Sequence, residues 1–227
     1  MASYMSSRSA VAEAFRTIRT SLNYTANKQN TKTILITSVD ADDGKTLVSA
    51  NLATSLAHAG EKVLLIDADL RKPACHRELS LPNRSGVTNV LADSEDPFSV
   101  IQTTEVAGLH VMTSGPIPPN AAELLDGKAL EVLLATVRSE FDHVLIDSPP
   151  AGLLADASIL ASRVDGIILV VVSGVTRVEA AQEVKESLEL ARGKILGVVL
   201  NKVRYPSRDY RYRYRYYEYG EKEKGDA

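Results

Sequence analysis

Short aliphatic runs alternate with longer segments of helical periodicity along most of the chain. The runs Thr33–Thr37, Val63–Ile66, Leu109–Thr113, His143–Ile146, Gly166–Val172 and Gly197–Leu200 have the length of strands, and several are continuous Val, Ile and Leu without a polar side. Strands covered on both faces of a parallel sheet carry that pattern. Between them Lys45–Ala59, Lys128–Ser139 and Arg177–Ala191 read as helices, and Gly60 stands directly after the first, where a left-handed residue ends a helix at low cost. The alternation predicts an α/β fold, a mostly parallel sheet with helices on both faces. Ahead of it, Val11, Phe15, Ile18 and Leu22 recur at the spacing of one helix face. They predict an N-terminal helix with Glu13, Arg16 and Arg19 off the apolar stripe, followed by the polar stretch Asn23–Lys32.

Composition narrows the class. The 227 residues, 44 % of them hydrophobic, suffice for one sizeable core. A formal net charge of −3 gives the chain no overall basic character, so nucleic acid is not an expected partner. The single cysteine, Cys75, excludes a disulfide within the chain and points to a reducing compartment. The histidines His58, His76, His110 and His143 are too scattered for a metal site. No run approaches the ~20 apolar residues that span a bilayer, and the first residues lack an apolar signal core. The expectation is a cytoplasmic protein that reaches a membrane only through a partner.

The character changes after Lys202. Seven of the nine tyrosines fall in one stretch, Tyr205, Tyr210, Tyr212, Tyr214, Tyr216, Tyr217 and Tyr219, interleaved with Arg208, Arg211, Arg213 and Arg215. No Leu, Ile or Val follows residue 204, so this stretch lacks an aliphatic core and reads as a flexible tail. The organisation expected is therefore 1–32 as helix and linker, 33–203 as the α/β domain and 204–227 as the tail.

The first strand runs into Ser38-Val39-Asp40-Ala41-Asp42-Asp43-Gly44-Lys45-Thr46 and then a helix. Backbone N–H groups at such a helix start cradle phosphates. A lysine there neutralises the β- and γ-phosphates, and a Ser or Thr hydroxyl serves Mg²⁺. The loop is unusual: Val39 and Asp42 stand where glycines are common. Asp tolerates positive φ, so the loop can still form. Asp40, Asp42 and Asp43 must turn away from a polyphosphate. An ordinary helix start preceded by a chance Gly-Lys-Thr is the other reading of the same residues.

Two further runs end in carboxylates, Val63-Leu64-Leu65-Ile66-Asp67-Ala68-Asp69-Leu70-Arg71 and Val144-Leu145-Ile146-Asp147-Ser148-Pro149-Pro150. Open α/β sheets bind ligands outside the carboxyl ends of their strands. Carboxylates suit Mg²⁺, a hard ion that keeps several waters. Each aspartate alone could merely cap a helix; three at two strand ends beside a phosphate loop point to a site. Asp67 and Asp69 share a direction if strand geometry continues, so one can serve a metal while the other accepts a proton.

Together these elements resemble the bacterial tyrosine kinases of capsule and exopolysaccharide assembly. The likeness rests on the phosphate loop, Asp67-x-Asp69 and the Asp147-Ser148-Pro149-Pro150 run. It extends to Ser114-Gly115-Pro116-Ile117-Pro118-Pro119-Asn120 with Glu123-Leu124-Leu125, to Glu13-x-x-Arg16-x-x-Arg19 and to the tyrosine cluster, and so spans nearly the whole chain. The resemblance implies a P-loop NTPase fold that takes ATP and Mg²⁺. It implies ATP contacts at Asp42, Asp43, Gly44, Lys45, Thr46, Leu47 and Asn201, and metal ligation by Thr46, Asp69 and Asp147, largely through water. Asp67 would be the base and Lys45 the phosphate contact in catalysis. The seven tail tyrosines would be the acceptors. Glu13, Arg16 and Arg19 would join subunits into a ring, although spacing alone makes Glu13–Arg16 a solvated i,i+3 pair worth ~0.2–0.5 kcal/mol. A membrane-embedded activator and a phosphotyrosine phosphatase would be partners. Related partitioning and division-site ATPases carry an extra loop lysine where this chain has Asp40, which favours the kinase over a dimerising ATPase switch.

The Arg-Tyr run could instead stack on single-stranded nucleic acid. Glu218, Glu221, Glu223 and Asp226 dilute its charge, and no basic domain supports that reading.

Overall fold

A computed structural model describes residues 10–27 and 31–204. The tyrosine cluster from Tyr205 to Tyr219 lies outside the described residues. Six parallel strands carry the domain: β1 (Thr33–Ser38), β2 (Val63–Asp67), β4 (Leu109–Met112), β5 (His143–Asp147), β6 (Gly166–Val172) and β7 (Ile195–Asn201). A two-residue strand, β3 (Gln102–Thr103), adds an antiparallel edge, giving the order β3-β4-β2-β5-β1-β6-β7. No apolar run announced β3; it forms because Gln102 and Thr103 reach the ladder of β4.

Both faces of the sheet are apolar, for the reason the continuous runs suggest. In β1, Ile34 and Ile36 enter one hydrophobic cluster and Leu35 the other, as alternate side chains must. The first cluster is closed by α1 (Ala10–Asn27), α2 (Lys45–Ala57) and the short α3 (Cys75–Glu78). The second is closed by α4 (Val87–Asp93), α5 (Ala121–Asp126), α6 (Lys128–Glu140), α7 (Asp156–Ala161) and α8 (Val178–Leu190). The helix α2 stops at Ala57, and Gly60 follows at φ 92 with its N–H bonded to the Ala57 carbonyl. Strand β7 departs from the expected two-sided burial: Val198 and Leu200 remain 60 % and 56 % exposed. It is an edge strand, and only one neighbour covers it.

The N-terminal helix sits on the sheet by a slightly rotated face. Ala12, Phe15 and Leu22 are buried, whereas Val11, expected on the stripe, is 41 % exposed. Arg19, expected off the stripe, is half-buried and donates to the Ser55 carbonyl of α2 at 2.6 Å. The apolar partners in α2 and β1 select the face, and four residues of periodicity cannot resolve a rotation of one position. Arg16 forms an ion pair with Glu13 on the half-exposed side.

At the end of the sheet opposite the phosphate loop, Asp165 fastens β1. Its carboxylate accepts from the backbone of Lys32 and Thr33 at 2.9 and 2.8 Å and from the Thr33 hydroxyl at 2.9 Å, and it meets Arg138 at 2.6 Å. Burial opposes its charge, but these donors hold the carboxyl below the usual carboxylate range. Its stabilisation is therefore present above the unfolded value and fades as pH falls through the lower folded one. Asp165→Ala is expected to cost roughly 2–3 kcal/mol, read as a lower urea midpoint with nucleotide affinity retained. An unchanged midpoint would show that the clamp adds nothing.

Candidate active site

The central position of β1 brings three chain segments to one place. Its carboxyl end leads into the phosphate loop, while β5 beside it ends in Asp147 and β2 beyond that ends in Asp67. Asp67 and Asp147 are register partners on adjacent strands. Neighbouring strands lie ≈ 4.8 Å apart, so these carboxylates are neighbours by construction.

The loop folds as its sequence permits. Asp42 adopts φ 62 and Gly44 φ 90. Asp43, buried, accepts from the Asp40 N–H at 2.9 Å, while Asp40 and Asp42 face outward. Two of the three acidic residues are thus turned outward, and the third, Asp43, differs from expectation by folding into the loop, where its carboxylate is held by the Asp40 N–H. A Cβ on Gly44 would lie 2.3 Å from Asn201 Nδ2, so glycine is required there twice over, by conformation and by space. Asn201 closes the loop by donating to the Asp43 carbonyl at 2.7 Å, and Lys202 donates to that of Asp42 at 2.6 Å. Helix α2 begins at Lys45 with no acidic residue in its first turn, leaving its N-terminal dipole available to an anion. Leu47 is 42 % exposed on that turn.

Lys45 Nζ lies 3.1 Å from Asp69 Oδ2. Asp69 also accepts from the Lys72 N–H at 2.9 Å. Asp147 accepts from the Thr46 hydroxyl at 2.6 Å and the Ser49 hydroxyl at 2.9 Å. Asp67 turns into the loop before α3, accepting from Ala74 and Cys75 N–H groups at 3.1 and 2.9 Å. Asp67 and Asp69 thus end in different surroundings, one against α3 and the other against Lys45.

Electrostatics separate their chemistry. Burial, then the Asp147 charge, pushes Asp67 up to about 7. Burial pushes Asp147 up to about 6, against the pull of Lys45. Burial opposes the charge on Lys45, yet Asp147 and Asp69 hold its ammonium above the ordinary lysine value. Three buried carboxylates thus share one lysine. That surplus of buried negative charge suits a divalent cation, and Thr46, Asp69 and Asp147 offer the oxygens. The raised position of Asp67 suits a proton acceptor working near neutral pH.

Sequence reasoning missed two groups. Ser49 lies one helical turn after Thr46, and that spacing could have found it. Cys75 had no signal: its Sγ comes within 3.6 Å of Asp147 only because the loop after Asp69 folds back beneath β2. Burial, with Asp67 and Asp147 adding to it, pushes its thiol well above the usual range.

The chain's relatives share this arrangement's fold. A family model described as an AAA domain matches residues 31–193. Tyrosine-protein kinase YwqD of Bacillus subtilis is 42 % identical over 194 residues, covering 86 % of this chain and 82 % of that protein. The kinase domain of Escherichia coli tyrosine kinase ETK superposes with a TM-score of 0.87 at 32 % identity, over 91 % of this chain and 81 % of that one. The septum site-determining protein MinD of Pyrococcus horikoshii, solved with Mg-ADP, gives 0.67 at 26 % identity, over 78 % and 72 %. The fit is higher for the tyrosine kinase than for the division ATPase, in agreement with Asp40 in place of a loop lysine. The chain belongs to the bacterial tyrosine kinases of capsule and exopolysaccharide assembly.

Proposed function

We propose that this kinase transfers phosphate from ATP to the tyrosines of its own C-terminal segment, between subunits of a ring, and so regulates capsule or exopolysaccharide synthesis and export. The observation that carries the reading is Asp67: a buried carboxyl, drawn up to about 7, in register with Asp147 and beside the Lys45–Asp69 pair. A base with that affinity matches a phenol proton that is lost only as the new bond forms.

In the transfer, the tyrosine oxygen attacks the γ-phosphorus, the bond to the β,γ-bridging oxygen breaks, and Asp67 takes the phenolic proton. ADP leaves. Lys45 and the N–H groups of Asp43, Gly44, Lys45 and Thr46 neutralise and orient the phosphates; Asp42 shapes the turn, and Leu47 and Asn201 border the nucleotide. Mg²⁺, held by Thr46, Asp69 and Asp147 largely through water, would supply charge neutralisation at the β- and γ-phosphate oxygens. The proton then passes from Asp67 to solvent after product release.

The acceptors are Tyr205, Tyr210, Tyr212, Tyr214, Tyr216, Tyr217 and Tyr219. Glu13, Arg16 and Arg19 form the subunit contact, with Arg19 anchoring α1 to α2 by its bond to Ser55. Among the described residues no helix is long and apolar enough to cross a membrane. A membrane-embedded activator holds the kinase at the cytoplasmic face, and a phosphotyrosine phosphatase resets the tail. From Tyr205 to Tyr219 four arginines face two carboxylates. Two phosphates at ~−1.5 to −2 each reverse that sign, and repulsion loosens the ring.

The test is intact-protein mass before and after Mg²⁺-ATP with the activator's cytoplasmic segment supplied, for wild type and a variant with all seven tail tyrosines changed to Phe. Added phosphates on wild type alone are expected. ATP turnover with no phosphate on either protein would place the chain with the dimerising ATPase switches instead.

A further inference from the structure

Beyond Asp69 the chain turns outward and becomes basic. Arg71, Lys72, His76 and Arg77 line an open cavity of about 530 Å³, and its lining contains no carboxylate. Pro116 and Ile117 contribute to the lining, and Ile117 is 64 % exposed. Burial, with the Arg77 charge, holds His76 below the ordinary histidine value, so the cavity offers the cations Arg71, Lys72 and Arg77 together with an apolar surface on which an aromatic ring can lie.

The cavity is built rather than incidental. Arg71 is fixed from behind by Asp156, 1 % exposed, through two bonds of 2.7 and 3.0 Å. Asn83 pins the turn that carries Pro116 and Ile117, donating to the Gly115 carbonyl at 3.0 Å and accepting from its N–H at 2.8 Å. A Cβ on Gly86 would lie 1.8 Å from the Thr113 carbonyl oxygen, so the two backbones interlock. The cavity also adjoins the reaction centre. Lys72 bonds Asp69 through its backbone N–H, and Arg71 stands two residues beyond Asp69.

We propose that this cavity is an acceptor subsite, which takes an anionic side chain, a carboxylate or a phosphotyrosine, a few positions from the tyrosine being phosphorylated. An extended peptide advances about 3.3 Å per residue, so a group two to four positions away falls about 7–13 Å from the reacting hydroxyl. The inference rests on the reading of the tail as acceptor. The tail supplies both parts: two to four positions away Tyr212 has Asp209, Tyr214 and Tyr216 have Glu218, and Tyr217 and Tyr219 have Glu221, whereas Tyr210 has no carboxylate at that spacing. A phosphate on Tyr212 would give Tyr210 the anion that it lacks at that spacing.

Binding is read without turnover, by fluorescence anisotropy of labelled peptides on the full-length protein at fixed ionic strength. Three peptides of residues 214–227 are compared: the native one, one with Glu218, Glu221 and Glu223 changed to Gln, and the Gln form carrying phosphotyrosine at 219. The Gln peptide is expected to bind about tenfold more weakly than the native, and at least one anionic form to bind better than it. Native alone identifies carboxylate as the ligand, and the phosphopeptide identifies phosphate. Arg77→Glu should erase the difference while ATP affinity and melting temperature stay at wild-type values. Equal affinity of all three peptides, or discrimination that survives Arg77→Glu combined with Lys72→Gln, overturns the proposal. Because no catalysis is involved, these outcomes are independent of whether the tail becomes phosphorylated in the mass assay.

Discussion

Asp67→Asn should lower kcat for tyrosine phosphorylation by roughly 10²–10⁴-fold and leave the KM for ATP near its wild-type value. The amide keeps the size of the side chain and can still accept from Ala74 and Cys75 N–H groups through one oxygen. It cannot take a proton. In wild type, kcat should rise with pH and level off above about 7, the value to which burial and Asp147 push this carboxyl. Stability should run the other way. A carboxyl whose folded pKa exceeds its unfolded value binds more protons in the folded state, so stability falls as pH rises from about 4 to about 7. Asp67→Asn removes that slope, and the nucleotide-free variant should be the more stable protein at pH 8, by an amount on the order of 1–3 kcal/mol. Part of the gain is lost because the amide nitrogen meets the Asp69 N–H at the position that now accepts it. Melting temperatures of both proteins from pH 5 to 8, beside a kcat–pH profile, check both halves. A flat wild-type profile would remove Asp67 from the role of base.

Lys45→Met should reduce phosphoryl transfer by at least roughly 10²–10³-fold, the usual loss when one charge-stabilising donor is deleted. It should also destabilise the nucleotide-free protein. Lys45 and Asp69 are 14 % and 5 % exposed, 3.1 Å apart. Removing one member of such a pair strands the other charge, at about 3–5 kcal/mol when the pair is fully buried. Two effects, inactivity and instability, would then be confounded in one variant. The double variant Lys45→Met/Asp69→Asn separates them. It should regain most of the lost stability and none of the activity, because the stranded charge is gone but the phosphate contact is still missing. A single variant as stable as wild type would mean that Asp69 finds another partner or a proton.

Much of this was legible before any coordinates. The continuous apolar runs at the centres of β1, β2, β5 and β6 declared strands buried on both faces, because Val, Ile and Leu there alternate to both sides of the sheet. Gly44-Lys45-Thr46 after such a run pointed to a phosphate loop, and Asp42, one of the few residue types besides glycine that tolerates positive φ, adopts it where glycine is common. The placement of Asp67 and Asp147 at strand ends was equally local. The face of α1 was less so: Val11 and Arg19 exchanged their expected surroundings, since packing against α2 selects among nearly equivalent rotations of a short stripe. The edge β3 escaped altogether, because two residues carry no periodicity.

Taken alone, the sequence determined an α/β chain with an acidic Gly-Lys-Thr loop after its first strand, two aspartate-terminated strands and a tyrosine-rich stretch. Those properties are written in spacings of a few residues, where side-chain direction follows directly from helix or strand geometry. Tertiary structure decided which groups meet: Asp67 in register with Asp147, Lys45 against Asp69, Cys75 beneath both strands, Arg71 held by Asp156, and Asp165 clamping β1 across 132 residues of chain. Strand order and loop return depend on how whole faces pack, and no short window of sequence contains both partners of such a contact.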